Sequence, residues 1–325
     1  MLNYTFESGI SGHIAGLIEQ KRSNGFAYDS GEKLLKRFDG FCTEKYPSAV
    51  TVTEELAEEW CRLRPGQGAA YHNNKITILR QLGFYIQSLG LQAYIPHSFC
   101  KTYKPILYIP SGEEIRALLY TMEISPPYSN KEIQRLEEEC RIMFLLYFCC
   151  GLRLSEARFL RKEHVDTKTG VLTILKSKGD KDRLVYLPED GIEIIAAHKQ
   201  RMEKEYPTSP WMFPGYDPEK PISCSRVEGC FNRCWNRLPF SSRIDKKPTP
   251  HCLRHAFVVE RLNDWMLQGI DINRMLPYLS KYLGHKSPSE TFYYYHLVNK
   301  AFDVIRLKDT TVKHVIPEVI PYEND

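Results

Sequence analysis

The stretch "RIMFLLYFCCGLRLSEARFL", residues 141–160, is apolar on nearly every side through residue 150, stops at Gly151, and restarts around an arginine and a glutamate. A helix that is apolar all round is a buried one, and glycine is a common residue just past a helix end. Residues 141–150 therefore read as the central helix of a domain, and the segment after Gly151 is anchored by that core. Arg153 and Glu156 are three residues apart, so on a helix they share a face and the carboxylate can orient the guanidinium. Taken alone, Arg153 is better read as capping a carbonyl or lying in solvent.

Outward from this core, "GVLTILKSKGDKDRLVYLP" at 170–188 reads as two β segments around a polar Lys-Gly-Asp-Lys turn, a hairpin. Upstream, Ser111 with Glu114 ahead of Ile115, Leu118 and Leu119 is a capping box that opens the domain's first helix. Before it, residues 94–110 hold prolines and lysines without helical period, as an extended connection does. Residues 8–90 read as a helical bundle. Ile10, Ile14, Leu17 and Ile18 share one face, as do Leu34, Leu35, Phe38, Phe41 and Cys42. A third helix starts near Thr53, and Ile76, Leu79, Leu82 and Tyr85 carry a fourth. The expected fold is mainly α with a small β-sheet: a helical domain and linker over 1–104, an α+β domain over 105–300, and a tail over 301–325. In that tail Phe302, Val304, Ile305 and Leu307 form a short amphipathic segment that could dock on its own subunit or on a neighbour.

The 325 residues are comfortable for two domains, and 42% hydrophobic with 26% charged residues is an ordinary globular balance. No run approaches the roughly 18 apolar residues of a membrane span, and residues 1–20 lack a secretory pattern, so a cytosolic location is expected. The ten cysteines are scattered. Cys224, Cys230 and Cys234 cluster, but their spacing matches no zinc pattern, and no metal is expected. A net charge of +4 neither demands nor excludes a polyanionic partner.

Two further stretches supply chemistry. "PHCLRHAF", 250–257, places His251 and Arg254 one helical turn apart, beside His255; "LGHKSPSETFYYYHL", 283–297, adds His285 and three successive tyrosines. Ser287, Pro288 and Glu290 look like a cap, a first-position proline and a capping-box partner, so one helix from Pro288 is expected to carry all three phenols. Successive helical residues point about 100° apart, so only one phenol can face the arginines.

The order of an arginine in a Gly-Leu-Arg-x-x-Glu box, a hairpin lysine, His-x-x-Arg-His, Leu-Gly-His and a tyrosine resembles the tyrosine recombinases, also called the phage integrase family. In that family the nucleophilic tyrosine lies nine residues past the last histidine, which here is Tyr294. The resemblance implies Arg153, Lys178, His251, Arg254 and His285 around a phosphate, with Glu156 behind Arg153. The first domain resembles the family's core-binding domain by its layout. The implied activity is site-specific DNA recombination or integration, by cutting and rejoining strands through a covalent 3′-phosphotyrosine, without ATP, metal or other cofactor. The implied partner is a double-stranded recombination site, bound by a homo-oligomer that becomes a tetramer in the synapse, on the nucleoid and often for a mobile element. Lys75, Arg80, Lys101 and Lys104 are the expected DNA contacts of the first domain and linker. The alternatives are a catalytically idle DNA-binding relative and a type IB topoisomerase-like nicking-closing enzyme.

The residue types suit that chemistry. A phosphodiester attacked by a phenol gathers charge on its non-bridging oxygens, onto which two guanidiniums can fork. The phenol must lose a proton, for which His251 is the expected base, and the leaving 5′-oxygen must gain one, from Lys178. His285 is expected to donate a hydrogen bond to the phosphate. Lys176 and Lys181 are alternatives for the acid. Thirty residues separate Arg254 from His285, more than in compact family members, so a small insertion is expected there.

Overall fold

The computed structural model describes residues 3–97, 99–101, 107–124, 130–177, 181–243 and 248–297. They fall into two compact units, one within residues 1–106 and one within 107–325.

The first unit holds α1 (Ser11–Ser23), α2 (Asp29–Lys45), α3 (Glu54–Cys61) and α4 (Ala69–Ser88). Each buries one stripe: Ile14, Leu17 and Ile18 from α1, Leu35, Phe38 and Phe41 from α2, Leu56 and Trp60 from α3, and Leu79, Leu82 and Ile86 from α4. The Thr53 hydroxyl caps α3 by accepting from the Leu56 amide at 3.3 Å. At Gly16, an added Cβ would stand 2.1 Å from the Tyr85 hydroxyl, so a larger residue there would push the Tyr85 ring aside.

Lys75 departs from expectation. It is 3% exposed, and its Nζ donates to the carbonyls of Trp60 (2.5 Å) and Arg62 (3.4 Å). A helix end leaves carbonyls unpaired and carries partial negative charge, which is where a buried ammonium is best tolerated. Lys75 therefore ties α4 to the end of α3 and is buried rather than at the surface. The Arg80 guanidinium donates to the Pro96 carbonyl at 2.8 Å and meets His97 Nδ1 at 2.9 Å. Lys101 is exposed; Lys104 lies outside the described residues.

The second unit opens with α5 (Gly112–Glu123), whose Ser111–Glu114 capping box forms as the sequence suggests. The central helix α6 (Lys131–Cys150) is packed by α5, α8 (Glu189–Glu205), α9 (Cys224–Trp235) and α10 (His251–Leu267). Met143, Phe144 and Tyr147 of α6 are buried with Phe231 and Trp235 of α9 and Leu253 of α10. The helix ends at Gly151, whose φ of 62° is left-handed, and an added Cβ there would lie 2.6 Å from the Phe257 ring. The short α7 (Leu154–Arg158) follows directly.

Strands β1 (Val165–Asp166), β2 (Val171–Ser177) and β3 (Lys181–Tyr186) form an antiparallel sheet in that order, with Leu172 opposite Val185 and Ile174 opposite Arg183. Side chains alternate faces along a strand, so β3 carries Arg183 on the inward face with buried Val185. The turn residues 178–180, Lys178 among them, lie outside the described residues.

After α10, helix α11 (Ile272–Leu283) ends at left-handed Gly284, and α12 (Pro288–Phe292) is followed by a 3-10 turn over Tyr293–Leu297. The three tyrosines thus leave the α-helix at its end. Ser287 makes no cap; its hydroxyl meets that of Ser289 instead, while Pro288 takes the first helical position. Among the described residues no helix is long and apolar enough to cross a membrane. The tail over 301–325 lies outside the described residues.

Candidate active site

Four separated segments meet in the second unit. Arg153, at the start of α7, receives its local order from Glu156: the Arg153 amide donates to Oε2 at 2.8 Å and its guanidinium to Oε1 at 2.7 Å. The same guanidinium reaches across to the Gly284 carbonyl at 2.7 Å. Arg183 from β3 forks onto Glu156 with two bonds of 2.8 Å and donates to the Tyr282 carbonyl at 2.7 Å. Arg254 from α10 lies 3.9 Å from Glu156, donates to the carbonyls of Gly151 and Leu283, and meets His285 Nε2 at 3.1 Å. The two glycine-terminated helix ends, at Gly151 and Gly284, thus supply the carbonyls that hold the arginines. Cations at helix C-termini are favourable, so the scaffold positions the positive charge that the site collects.

Three guanidiniums surround the buried carboxylate of Glu156. Burial alone would raise its pKa, but the hydrogen bonds and charge of Arg183, with those of Arg153, take it down to about 2. Burial and the Arg153 charge pull Arg254, itself 1% exposed, down to about 10. The histidines follow the same logic. Desolvation, then Arg254 and Arg153, take His251 to about 4 and His285 to about 3, and desolvation with His251 takes His255 to about 3. All three are neutral near pH 7. His285 Nε2 receives from Arg254, so its proton sits on Nδ1, 2.7 Å from the Thr291 hydroxyl. In this arrangement Nε2 is an acceptor, opposite to the donor role expected from the sequence.

Of the three tyrosines, Tyr294 is 5% exposed and Tyr295 is 42% exposed, with Tyr293 half-buried. Burial pushes the Tyr294 phenol upward, and the Arg254 and Arg153 charges pull against it. Its hydroxyl meets Nδ1 of His255 at 2.6 Å. The phenol's hydrogen-bond partner is therefore His255; the expected base, His251, is exposed and packs edge-on against His255 at 4.5 Å between ring centres. An arrangement of excess guanidinium charge, neutral imidazoles and one buried phenol suits a phosphodiester anion and a phenolic nucleophile.

The pattern that describes the phage integrase family matches residues 111–301. The chain belongs to the phage integrase family. It is similar to a Sinorhizobium fredii protein provisionally named integrase/recombinase, 27% identical over 286 residues, 85% of this chain and 89% of that one. It is also similar to the tyrosine recombinase XerD of Rhizobium meliloti, 26% identical over 259 residues, 77% of this chain and 76% of that one. Among solved structures, the Tn1549 transposon integrase in complex with transposon right end DNA shares the fold. Its TM-score is 0.61 at 16% identity, covering 93% of this chain and 99% of that one.

Against this family, the site gathers Arg153, Glu156, His251, Arg254, His285 and Tyr294, while Lys178 lies outside the described residues. Sequence reasoning missed Arg183, Thr291 and the role of His255. The signal for His255 was present, since His251 and His255 are four apart on one face of a helix. Arg183 carried no such signal beyond its place on a hairpin strand. Elsewhere among the described residues, Glu137, Cys230 and Cys234 bring potential metal-ligand atoms within 4.8 Å of one another. Their carboxylate is already bound by Arg233 and receives the Cys230 thiol at 2.8 Å. Those atoms satisfy one another.

Proposed function

We propose that this integrase-family protein is a site-specific DNA recombinase that cuts one strand of duplex DNA by attack of Tyr294 on a phosphodiester and rejoins it to a new 5′ end. The observation that carries the reading is the buried Tyr294 hydroxyl lying in one site with His285, nine residues before it, and with Arg153 and Arg254 from two distant parts of the chain. Arg153 and Arg254 bind the non-bridging oxygens, whose charge grows in the transition state, and Glu156 with Arg183 holds Arg153 in place. Exposed His251 completes the phosphate's surroundings. Lys178 protonates the departing 5′-oxygen. The 3′-phosphotyrosine conserves the energy of the broken bond, so rejoining needs no ATP.

The Tn1549 integrase was solved on DNA, which supports a duplex as partner. In this reading two half-sites are filled by two subunits and two sites pair in a tetramer, in the cytoplasm on the nucleoid, for integration or excision of a mobile element. The first unit and linker also bind the duplex, with Lys101 and Lys104 on the phosphates and Lys75 no longer among the contacts. The tail after residue 300 docks on a neighbouring subunit and couples assembly to cleavage. The test is a nicked duplex whose cleaved fragment diffuses away, carrying a site captured covalently from a randomised library. A protein–DNA adduct that forms in excess EDTA supports the reading. Cleavage that leaves no adduct, or that stops in EDTA, overturns it.

A further inference from the structure

The proposed reaction leaves open where the phenol's proton goes, and the geometry around Tyr294 answers that differently from the sequence. Tyr294 is 5% exposed, so bulk water has little access to it. Its oxygen lies 2.6 Å from Nδ1 of His255, within hydrogen-bond range, and the two rings are 5.5 Å apart. His255 stands on α10 directly after Arg254, so the residue that would hold the phosphate and the one that holds the nucleophile are fixed by the same helical turn. His251, one turn earlier, packs edge-on against His255 and keeps part of its surface at solvent while its neighbours desolvate the rest.

Resting on the function proposed above, we infer that His255 is the catalytic base for Tyr294, taking its proton on cleavage and returning it on rejoining. With the resting proton on Nε2, the Nδ1 lone pair accepts the phenol hydrogen. As Oη bonds to phosphorus, the O–H bond breaks and its proton passes to Nδ1, giving an imidazolium. The P–O5′ bond breaks and the 5′-oxygen leaves with a proton from the general acid. In rejoining, a 5′-hydroxyl gives its proton to that same group, its oxygen bonds to phosphorus, and the departing Oη recovers the proton from Nδ1.

The surroundings add substrate control. The groups facing His255 are His251 and Arg254 on α10, His285 ahead of α12, and Tyr294 itself. Without DNA these surroundings keep His255 a poor base, and the phenol stays protonated and unreactive. An incoming phosphodiester brings negative charge against Arg153 and Arg254, which offsets the positive charge that disfavours the protonated imidazole. The nucleophile is thereby activated by the substrate it attacks.

The experiment measures single-turnover adduct formation on the captured-site nicked duplex. His255→Asn places an acceptor oxygen near the position of Nδ1 but cannot take a proton; His255→Phe keeps the ring and loses the bond. Both should lower the rate by about 10²-fold or more. Replacing Tyr294 with a ring-fluorinated tyrosine, whose phenol is more acidic, should restore much of the rate in His255→Asn and add little to the wild type. It should also move the rising limb of the pH–rate profile to lower pH. Adduct formation by His255→Asn at the wild-type rate overturns the inference. So does a slow, folded, DNA-binding His255→Asn that fluorination fails to rescue, because the histidine would then only position the ring. Adduct formation by Tyr294→Phe overturns the function proposed above rather than this role alone.

Discussion

Replacing Glu156 with glutamine removes the charge that three guanidiniums share while keeping the side chain's shape. The carboxylate side chain is 3% exposed and is bound by Arg153 and Arg183. A carboxyl held at about 2 in the folded chain, against 4.5 unperturbed, contributes about 1.36 × 2.5, or roughly 3 kcal/mol, at neutral pH. That agrees with the roughly 3–5 kcal/mol lost when one partner of a buried ion pair is deleted. Because the folded pKa is depressed, the contribution is complete above pH 4.5 and is lost as pH falls toward 2. At pH 3 about half of it remains. Urea unfolding of wild type and Glu156→Gln, followed by a signal from the second unit, should differ by about 3 kcal/mol at pH 7 and by about half that at pH 3. A difference below about 1 kcal/mol at pH 7, or one that stays constant into acid, would refute the view that Glu156 is the counter-ion on which the arginine cluster rests.

Three other substitutions separate scaffold from chemistry. Lys75→Met should leave the salt dependence of DNA binding unchanged while lowering stability by about 1–3 kcal/mol, because it strips a donor from buried carbonyls. A Lys101→Ala, Lys104→Ala double variant should instead reduce the slope of log affinity against log salt by about two. Gly284→Ala adds a Cβ at a φ of 64°, 3.1 Å from an Arg183 nitrogen and 3.2 Å from an Arg153 nitrogen. It should cost roughly 1–2 kcal/mol of stability and slow cleavage by more than that loss explains, by displacing the guanidiniums. Lys178→Ala should cleave a substrate with a bridging 5′-sulfur, whose leaving group needs no proton, far better than the oxygen substrate, and Arg254→Ala should not gain; equal failure of Lys178→Ala on both substrates would put the acid elsewhere.

What could be read from the sequence follows the range of the interactions involved. The helices of both units are written in local spacing, and the glycine stop at Gly151 needs only its own backbone angle. Arg153, Arg254, His285 and Tyr294 were legible because they sit in short motifs with fixed offsets. The partners were not. His255 meets Tyr294 across 39 residues and Arg183 meets Glu156 across 27, and neither spacing has a local period. Lys75 looked like surface charge because its α4 turn says nothing of the α3 carbonyls that receive it. The change from α-helix to 3-10 turn at Tyr293 was likewise hidden, since the capping residues at Ser287 and Glu290 suggested a helix that would run on.

Attack of Tyr294 on DNA is tested by finding the amino acid that carries the nucleotide. The adduct trapped on the nicked duplex would be digested with nuclease and trypsin and the residual nucleotide located by fragmentation mass spectrometry. Cleavage after Lys286 and Lys300 yields one peptide holding Tyr293, Tyr294 and Tyr295. The phosphonucleotide should lie on Tyr294 alone, with no adduct from Tyr294→Phe and a normal adduct from Tyr295→Phe. A nucleotide on Tyr293, on Tyr295 or on any residue outside that peptide would contradict attack by Tyr294.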